Sequence, residues 1–255
     1  MIASLGMYDR AETAAANDRL WGLIRGGLRA RGVKAPDALT RGEGAYWPAW
    51  QSPDLVLSQT CGYPFRARLH DTVTLIGTPD YGVADCPPGH YHSVFVARTD
   101  GPNDLATLAS QRLAYNEDLS QSGWVGPANH LLSLGLTPRP ALRSGGHRAS
   151  ALVVAEGRAD LAAIDAVTWA MLQKWDPAVT NLKVVDRTAP TPGLPLIAAK
   201  GADRDATFAA VAEAMDRLHL ADRALLGLRG LVFIPVADYL AVPTPPPPDH
   251  FGLPT

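Results

Sequence analysis

Short polar side chains cluster at three points in the middle of the chain, each at the beginning of a predicted helix or the end of a predicted strand. Ser120-Gln121-Ser122-Gly123 opens one helix, Ser144-Gly145-Gly146-His147 opens a second, and the apolar run Leu161–Ile164 ends in Asp165. Backbone N–H groups at a helix N-terminus have no intrahelical partner and lie at the positive end of the helix dipole, so they favour an anion. Hydroxyl groups on the same turn add hydrogen-bond donors without adding charge. The pattern predicts a small oxyanion pocket.

Each of these side chains also has a purely structural interpretation. Ser120 and Ser122 could cap the helix that follows, but two hydroxyl groups flanking one turn exceed what a single cap needs, so we favour ligand contact. His147 could donate to an oxyanion, or it could be a surface or capping histidine. Asp165 lies at an N-cap position and could instead bind an ammonium or hydroxyl group of a ligand. Trp124 could pack under its turn or contact the ligand.

The sequence carries no motif of a known catalytic class. It contains no Gly-x-Ser-x-Gly elbow, no phosphate-binding loop ending in Gly-Lys-Ser/Thr and no His-Glu-x-x-His zinc motif. Gly145-Gly146-His147 is not a dinucleotide fingerprint, and no base is evident beside Ser120 or Ser122. We therefore expect neither an enzyme nor a bound cofactor.

A predicted strand, Tyr91–Arg98, begins next to two histidines. His90 and His92 lie on one face of this strand and Tyr91 and Ser93 on the other, because side chains alternate along a strand. The two histidines could bind a transition metal, but no cysteine or carboxylate stands at a supporting spacing, so we expect no metal site. Of the opposite pair, we expect Tyr91 to face the ligand.

The composition of the 255 residues argues against several function classes. A formal charge of −2 gives no general attraction to nucleic acid or anionic membranes. No stretch of about 18 apolar residues suggests a membrane span. Cys61 and Cys86 make no disulfide framework, and they could pair or stay free. Met1–Met7 is too short for the core of a signal peptide and lacks a basic start, which predicts either a cytoplasmic protein or one whose export leader lies outside this sequence.

Hydrophobic periodicity predicts an α/β fold. We expect a first strand over Ile2–Met7, then a helix capped by Asp9 with Glu12 placed for a return contact. This helix should bury three residues at helical spacing and end near a glycine: Leu20, Ile24, Leu28 and Gly32.

Strands and helices alternate from residue 105 to about residue 186, which implies parallel βαβ units. Further strands are expected at 54–58, 73–77 and 194–199. A later helix, Asp203–Leu218, carries one apolar stripe, and the proline-rich tail Pro243–Pro248 should be extended and lie outside the core. The stripe consists of Phe208, Val211, Met215 and Leu218.

Two breaks, near residues 99–103 and 187–193, divide the chain into two predicted lobes. The first lobe is discontinuous, residues 1–98 with 190–255, and the second is residues 99–189. Two α/β lobes that the chain crosses twice form a cleft, and ligands of such folds bind at the carboxyl ends of strands. The two breaks would act as hinges.

A set of segments in a fixed order carries a family resemblance. The segments are the apolar strand into Met7-Tyr8, Thr60-Cys61-Gly62-Tyr63, Tyr91–Val96, Ser120–Gly123, Gly146-His147 and Ala163–Asp165. Together they resemble the solute-binding proteins of phosphate/phosphonate-type ABC transporters, which have the type II periplasmic-binding-protein fold. The likeness spans roughly residues 1–200.

The resemblance implies a protein that closes on a small phosphonate, phosphate or similar oxyanion for ABC-type uptake, in the periplasm and with a permease as partner. It implies that Ser120, Ser122, nearby amides and His147 hold the oxyanion, and that Asp165 and cleft tyrosines hold the rest. Thr60 places a hydroxyl and a close backbone approach in one turn. The residues expected to bind ligand are Tyr8, Thr60, Tyr63, Tyr91, Ser120, Gln121, Ser122, His147 and Asp165.

Two other classes of function stay open. The first is a cytoplasmic enzyme or ligand sensor on the same scaffold, acting on a small phosphorylated or heterocyclic metabolite. The second is a metal-binding or regulatory module that uses His90 and His92. In the favoured interpretation we expect a monomer, with no nucleic acid partner and no membrane insertion.

Overall fold

The structure, a computed structural model, describes residues 1–252 and contains two compact α/β units. The first unit comprises Met1–His90 and Pro192–Ala241, and the second comprises Tyr91–Thr191 and the chain from Val242 onward. The predicted lobes differ from these units, because they assigned residues 91–98 and the tail to the first lobe. Residues 93–98 belong with the second unit because they pair on both sides with its strands.

The described strands include two departures from prediction: the first strand stops at Ser4, and the strand predicted at Tyr91–Arg98 is broken at His92. In chain order they are β1 (Ile2–Ser4), β2 (Leu55–Gln59), β3 (Val73–Asp80), β4 (His90–Tyr91), β5 (Ser93–Arg98), β6 (Leu113–Tyr115), β7 (Pro140–Arg143), β8 (Leu161–Asp165), β9 (Leu182–Arg187), β10 (Thr191–Pro192), β11 (Leu196–Ala199) and β12 (Gly230–Val232).

Short 3₁₀ and π-helical turns occur in addition to the α-helices. π-Helical turns at Phe65–Leu69 and Gln121–Val125 are continuous with α3 and α5 respectively. Within residues 1–252, no helix combines the length and the apolar character that a membrane span requires. The α-helices are α1 (Ala14–Ala30), α2 (Trp47–Trp50), α3 (Gly62–Pro64), α4 (Leu105–Ala109), α5 (Gly126–Ser133), α6 (His147–Ala155), α7 (Ala166–Trp175), α8 (Arg204–Arg217), α9 (Leu220–Leu226) and α10 (Val236–Leu240).

A five-stranded mixed sheet forms the centre of the first unit, in the order β1-β2-β11-β3-β12. β1 and β2 are parallel, and β11 runs antiparallel to both of its neighbours. Helices α1 and α8 contribute their apolar stripes to one hydrophobic core, as their periodicity predicted. The buried members of the two stripes are Leu20, Ile24, Leu28, Val211, Met215 and Leu218, and Phe208 packs partly buried against them.

Helix α1 begins at Ala14 and has Thr13 at its N-cap, so the prediction that Asp9 caps this helix was wrong. Asp9 lies outside the helix and accepts hydrogen bonds from Asn17 Nδ2 at 2.9 Å and from Arg41 Nε at 2.6 Å. Its carboxylate is therefore used by these two side chains and not by the first amides of the helix.

The sheet of the second unit has the order β7-β6-β8-β5-β9. β6 is parallel to β7 and to β8, as the alternation of strands and helices predicted. β5 lies between β8 and β9 and runs antiparallel to both. The carboxyl ends of β6, β7 and β8 therefore meet at one edge of the sheet, which is where ligands of such sheets bind.

The proline-rich tail packs against the second unit, contrary to the expectation that it lies outside the core. Pro245 and Pro248 are buried, and the Pro246 carbonyl accepts a hydrogen bond from Trp124 Nε1 at 3.3 Å. Residues 243–247 have no regular hydrogen-bonded structure, and a 3₁₀ turn follows over Pro248–Phe251.

A candidate oxyanion-binding site

The first turn of the candidate site is built on Ser120, the N-cap of the helix that starts at Gln121. Ser120 Oγ accepts a hydrogen bond from the Gly123 N–H at 2.9 Å, so Ser120 caps this helix. Because Oγ is the acceptor in this contact, its own proton can still donate to another group. The Asn116 side chain approaches so closely that a Cβ at position 123 would lie 2.5 Å from Asn116 Cγ, so the turn needs glycine there.

The second turn, Ser144–His147, is tied to the first through Asn116. The Gly145 N–H donates to the Asn116 carbonyl at 2.8 Å. Ser150 Oγ donates to Asn116 Oδ1 at 3.0 Å and also lies 2.6 Å from Ser144 Oγ. One amide side chain thus contacts the glycine of the first turn and the network of the second.

The two turns meet at Ser122 and His147, whose Oγ and Nε2 atoms lie 2.7 Å apart. Ser93 Oγ on β5 donates to the Ser122 carbonyl at 2.8 Å and fixes the backbone of the first turn from the sheet. The two helix beginnings therefore lie together, as the predicted topology implied. The expectation that no base lies beside the serines was wrong, because the parallel strands β6 and β7 bring His147 to Ser122.

His147 is a neutral base at neutral pH. Burial lowers its pKa to about 4, and the nearby Ala163 backbone opposes this shift only in part. One nitrogen of a neutral imidazole donates and the other accepts, so the Ser122 hydroxyl can pair with Nε2 in either role. The guanidinium of the next residue, Arg148, is paired with Asp176 at 2.6 Å and adds no free charge to this turn.

Asp165 caps α7. Its Oδ1 accepts hydrogen bonds from Val167 N at 2.7 Å and Thr168 N at 3.0 Å, and the side chain is 2% exposed. Both bonds use the same oxygen, so a single carboxylate oxygen caps the helix. The strand register places Asp165 opposite Ser93, the residue that anchors the first turn.

Three of the predicted ligand residues lie in the first unit, each in a different setting. The ring of Tyr8 is buried edge-on against Tyr81, with centroids 4.9 Å apart. Tyr63 is half-buried, and the Arg66 guanidinium lies 4.5 Å from the centre of its ring. Thr60 is fully buried, and its Oγ1 makes no hydrogen bond within residues 1–252.

Tyr91 and Gln121 are buried side chains of the second unit, one in β4 and one at the start of the π-helical turn. Of the alternative metal ligands, His90 has its Nδ1 3.1 Å from the Pro88 carbonyl, and His92 interrupts the predicted strand. Among the 252 described residues, no group of three or more His, Cys, Asp or Glu side chains is arranged to hold a metal ion.

Trp124 packs under the first turn, which was one of its two predicted alternatives. The side chain is 1% exposed, and its ring centroid lies 5.6 Å from that of Tyr115 and 5.8 Å from that of Phe251. It supports the turn from inside the unit.

Sequence reasoning did not assign three buried polar residues that hold the two turns, namely Ser93, Asn116 and Ser150. Ser150 gave a usable signal, because it stands three positions after His147 and must share its helix face. Ser93 and Asn116 gave none, since their partners lie far away along the chain and only the sheet brings them together.

A cavity of about 590 Å³ lies at the other edge of the same sheet. Its lining includes Arg112, Pro140 and Asp160, which stand at the amino ends of β6, β7 and β8. Arg112 Nε is paired with Asp160 Oδ2 at 2.8 Å. This cavity is therefore separate from the two turns at the carboxyl ends of the strands.

Solved structures share the fold of the chain. PhnD1 from Prochlorococcus marinus, in complex with methylphosphonate, has a TM-score of 0.70 and 17% identity over 93% of this chain and 94% of that one. XAC2383 from Xanthomonas citri, bound to chloride ion, has a TM-score of 0.69 and 17% identity over 94% and 96%. A binding protein component of an ABC phosphonate transporter from Pseudomonas aeruginosa has a TM-score of 0.65 and 15% identity over 94% and 83%. At such identities the likeness establishes the fold alone.

The family follows from the sequence. No curated protein matches the chain. The family described as "ABC transporter, phosphonate, periplasmic substrate-binding protein" matches residues 51–238, which is well over half of the chain and includes both turns of the candidate site. This chain therefore belongs to the periplasmic substrate-binding proteins of phosphonate ABC transporters.

Proposed function

We propose that the two turns of the second unit bind the oxyanion group of a phosphonate, phosphate or similar small ligand that the protein delivers to an ABC permease. The observation that carries this proposal is the 2.7 Å contact between Ser122 Oγ and His147 Nε2, which joins two helix beginnings at one point. The amides of two first turns then lie near each other, where the helix dipoles and unpaired N–H groups both favour an anion.

Neutral groups supply most of the attraction in this proposal. The Ser120 hydroxyl accepts from Gly123 and keeps its proton for the ligand. The N–H groups of the first helical turns have no intrahelical carbonyl to bond. Each neutral hydrogen bond contributes about 1 kcal/mol net, so several converging donors are needed to replace the hydration of an anion. Because Arg148 is paired and His147 is neutral, discrimination would rest on the geometry of donors more than on net charge.

The other predicted residues belong to the proposed ligand set for different reasons. Thr60 offers a fully buried hydroxyl that has no hydrogen-bond partner within residues 1–252 and would gain one from a ligand oxygen. Asp165 is buried opposite Ser93 in the strand register, and its carboxylate could accept from a hydroxyl or ammonium group of the ligand. Tyr8, Tyr63, Tyr91 and Gln121 stay in the set as predicted contacts with the remainder of the ligand.

Ligand class and site are tested by separate experiments. A thermal-shift screen with phosphate, methylphosphonate, sulfonates and aminophosphonates should raise the unfolding temperature for the true class, since a ligand at 100 times its Kd stabilises the native state by about 2.7 kcal/mol. Stabilisation by none of the phosphorus oxyanions would exclude the proposed ligand class.

Ser122→Ala tests the site itself. We expect the variant to bind the best ligand about five- to tenfold more weakly, because one hydrogen-bonding group of about 1 kcal/mol is lost. Ser133→Ala is the matched control, since Ser133 ends α5 and its hydroxyl donates to the His130 carbonyl of its own helix at 2.7 Å. Equal affinities of Ser122→Ala and wild type in titration calorimetry would remove Ser122 from the site.

We also propose that the protein works in the periplasm, which its family membership supports, and that it is a monomer. Light scattering of the purified protein measures the oligomeric state, and a dimer at micromolar concentration would contradict this part. Stimulation of the ATPase activity of a reconstituted phosphonate permease by the ligand-loaded protein would support the transport role.

A second candidate is an enzyme, because the Ser122–His147 pair has the geometry of a nucleophile beside a base. His147 Nδ1 is buried and makes no hydrogen bond within residues 1–252, whereas a carboxylate orients the imidazole in a hydrolytic triad. Recovery of intact ligand after prolonged incubation with the protein supports the binding role. Turnover that disappears in Ser122→Ala would establish the enzyme instead.

A further inference from the structure

The segment Val242–Gly252, called the strap below, returns the chain from the first unit to the second after residue 241. It is therefore a third passage of the chain between the units, beyond those that follow His90 and Thr191. The strap ends in a 3₁₀ turn, Pro248–Phe251.

The following three contacts are among those that hold the strap on the second unit. The Pro243 carbonyl accepts from Asn129 Nδ2 at 2.7 Å, and the Pro246 carbonyl accepts from Trp124 Nε1 at 3.3 Å. The ring of Phe251 packs edge-on against Trp124 with centroids 5.8 Å apart. Two of the three contacts therefore involve Trp124.

The proline content explains this mode of attachment. A proline has no N–H, so the strap cannot join a sheet and presents carbonyl oxygens as its backbone hydrogen-bonding groups. A polyproline segment is already extended before it docks, so it loses little conformational entropy. Donation from an indole N–H and an amide to such carbonyls, with an aromatic ring alongside, is how polyproline grooves hold their ligands.

Trp124 is also part of the oxyanion turn. Its backbone N–H donates to the Ser120 carbonyl at 3.1 Å, and it follows Gly123, whose N–H is capped by Ser120 Oγ. The indole is 1% exposed, so its position and that of the turn backbone are fixed together.

We propose that the strap is a positioning element for the oxyanion site: by holding Trp124 it keeps the amides and hydroxyls of Ser120–Gly123 in their binding geometry. Trp124 and Phe251 are then positioning residues that do not touch the ligand. The proposal rests on the proposed function, since it assigns affinity for a phosphorus oxyanion to this turn.

Phe251→Ala in the full chain tests the strap, with Phe233→Ala as control. Phe233 is 47% exposed in the first unit and stacks near Arg204, so the same substitution is made away from the turn. We expect Phe251→Ala to weaken binding of methylphosphonate and inorganic phosphate about three- to tenfold, the range for loss of one aromatic pair. It should also increase hydrogen exchange of the amides of residues 120–125, and Phe233→Ala should change neither quantity.

Trp124→Phe is the second variant and keeps the test decisive if Phe251→Ala does not fold. It removes the indole N–H that bonds Pro246, together with part of the ring that packs under the turn, and it should raise exchange in the same six amides. Unchanged exchange at residues 120–125 in both variants would overturn the proposal, and so would weaker binding without a change in exchange. If wild type binds neither oxyanion, the proposed function fails, whereas the exchange measurement still decides whether the strap positions the turn.

Discussion

The imidazole of His147 should make the protein less stable as the pH falls from about 6.5 to 4. Burial lowers its pKa from 6.5 to about 4 in the folded state, so the unfolded chain binds a proton more readily throughout this window. The contribution of the neutral imidazole to the unfolding free energy is therefore fully present above the unfolded pKa, and it is lost as the pH falls toward the folded pKa. A difference of this size corresponds to about 3 kcal/mol if the ring were wholly shielded. Because His147 as a whole residue is only half-buried, water screens part of this effect, and we expect about 1–2 kcal/mol.

Urea denaturation of wild type and His147→Gln at pH 7, 5.5 and 4 measures this effect. The substitution has a fixed cost at every pH, and all other groups are common to both proteins, so only the change of the difference in unfolding free energy with pH reports on His147. As the pH falls from 7 to 4, the unfolding free energy of the variant should rise by about 1–2 kcal/mol relative to that of wild type. A difference in unfolding free energy that stays constant over this range would refute the buried, neutral imidazole beside Ser122.

Two further substitutions have defined outcomes. Gly123→Ala should lower the unfolding free energy by about 1–3 kcal/mol, because the new Cβ would lie 2.5 Å from Asn116 Cγ, and a wild-type urea midpoint would mean that Asn116 moves aside at little cost. Asp165→Ala should lose about 1 kcal/mol of stability through its cap, whereas Asp165→Asn keeps an accepting oxygen and should lose less. Equal losses in chemical denaturation of these two variants would contradict the capping geometry.

Local sequence patterns predicted the helices and strands, whereas the contacts of the candidate site depend on the pairing of distant strands. Helix α8 was expected at Asp203–Leu218 and spans Arg204–Arg217 with Asp203 as its cap, because periodicity and capping are properties of neighbouring residues. The prediction that Asp9 caps α1 was wrong, because a cap also requires the residues after it to be helical, and α1 starts only at Ala14. A residue type favours a cap without fixing where the helix begins.

The pair Ser122 and His147 shows where sequence reasoning reached its limit. The predicted parallel strands implied that the two helix beginnings converge, and they do. Ser122 and His147 were expected to share one oxyanion, but their direct hydrogen bond was not expected, because no local pattern sets a distance between side chains 25 residues apart. The antiparallel insertion of β5, which brings Ser93 to Ser122, had no signal in any local pattern.

The first turn is held from four directions, and this is what a site made of neutral donors requires. Ser93 fixes its backbone from the sheet, Asn116 packs against Gly123, His147 bonds Ser122, and the strap holds Trp124. An arginine or lysine can follow an anion over a range of positions, but an amide or hydroxyl donor is effective only when it already points at the oxygen it will bind. Fixing the donors before binding also reduces the ordering cost that would otherwise be subtracted from a few weak hydrogen bonds. In the proposed oxyanion site, the packing around the turn would therefore contribute to affinity as directly as the donors themselves.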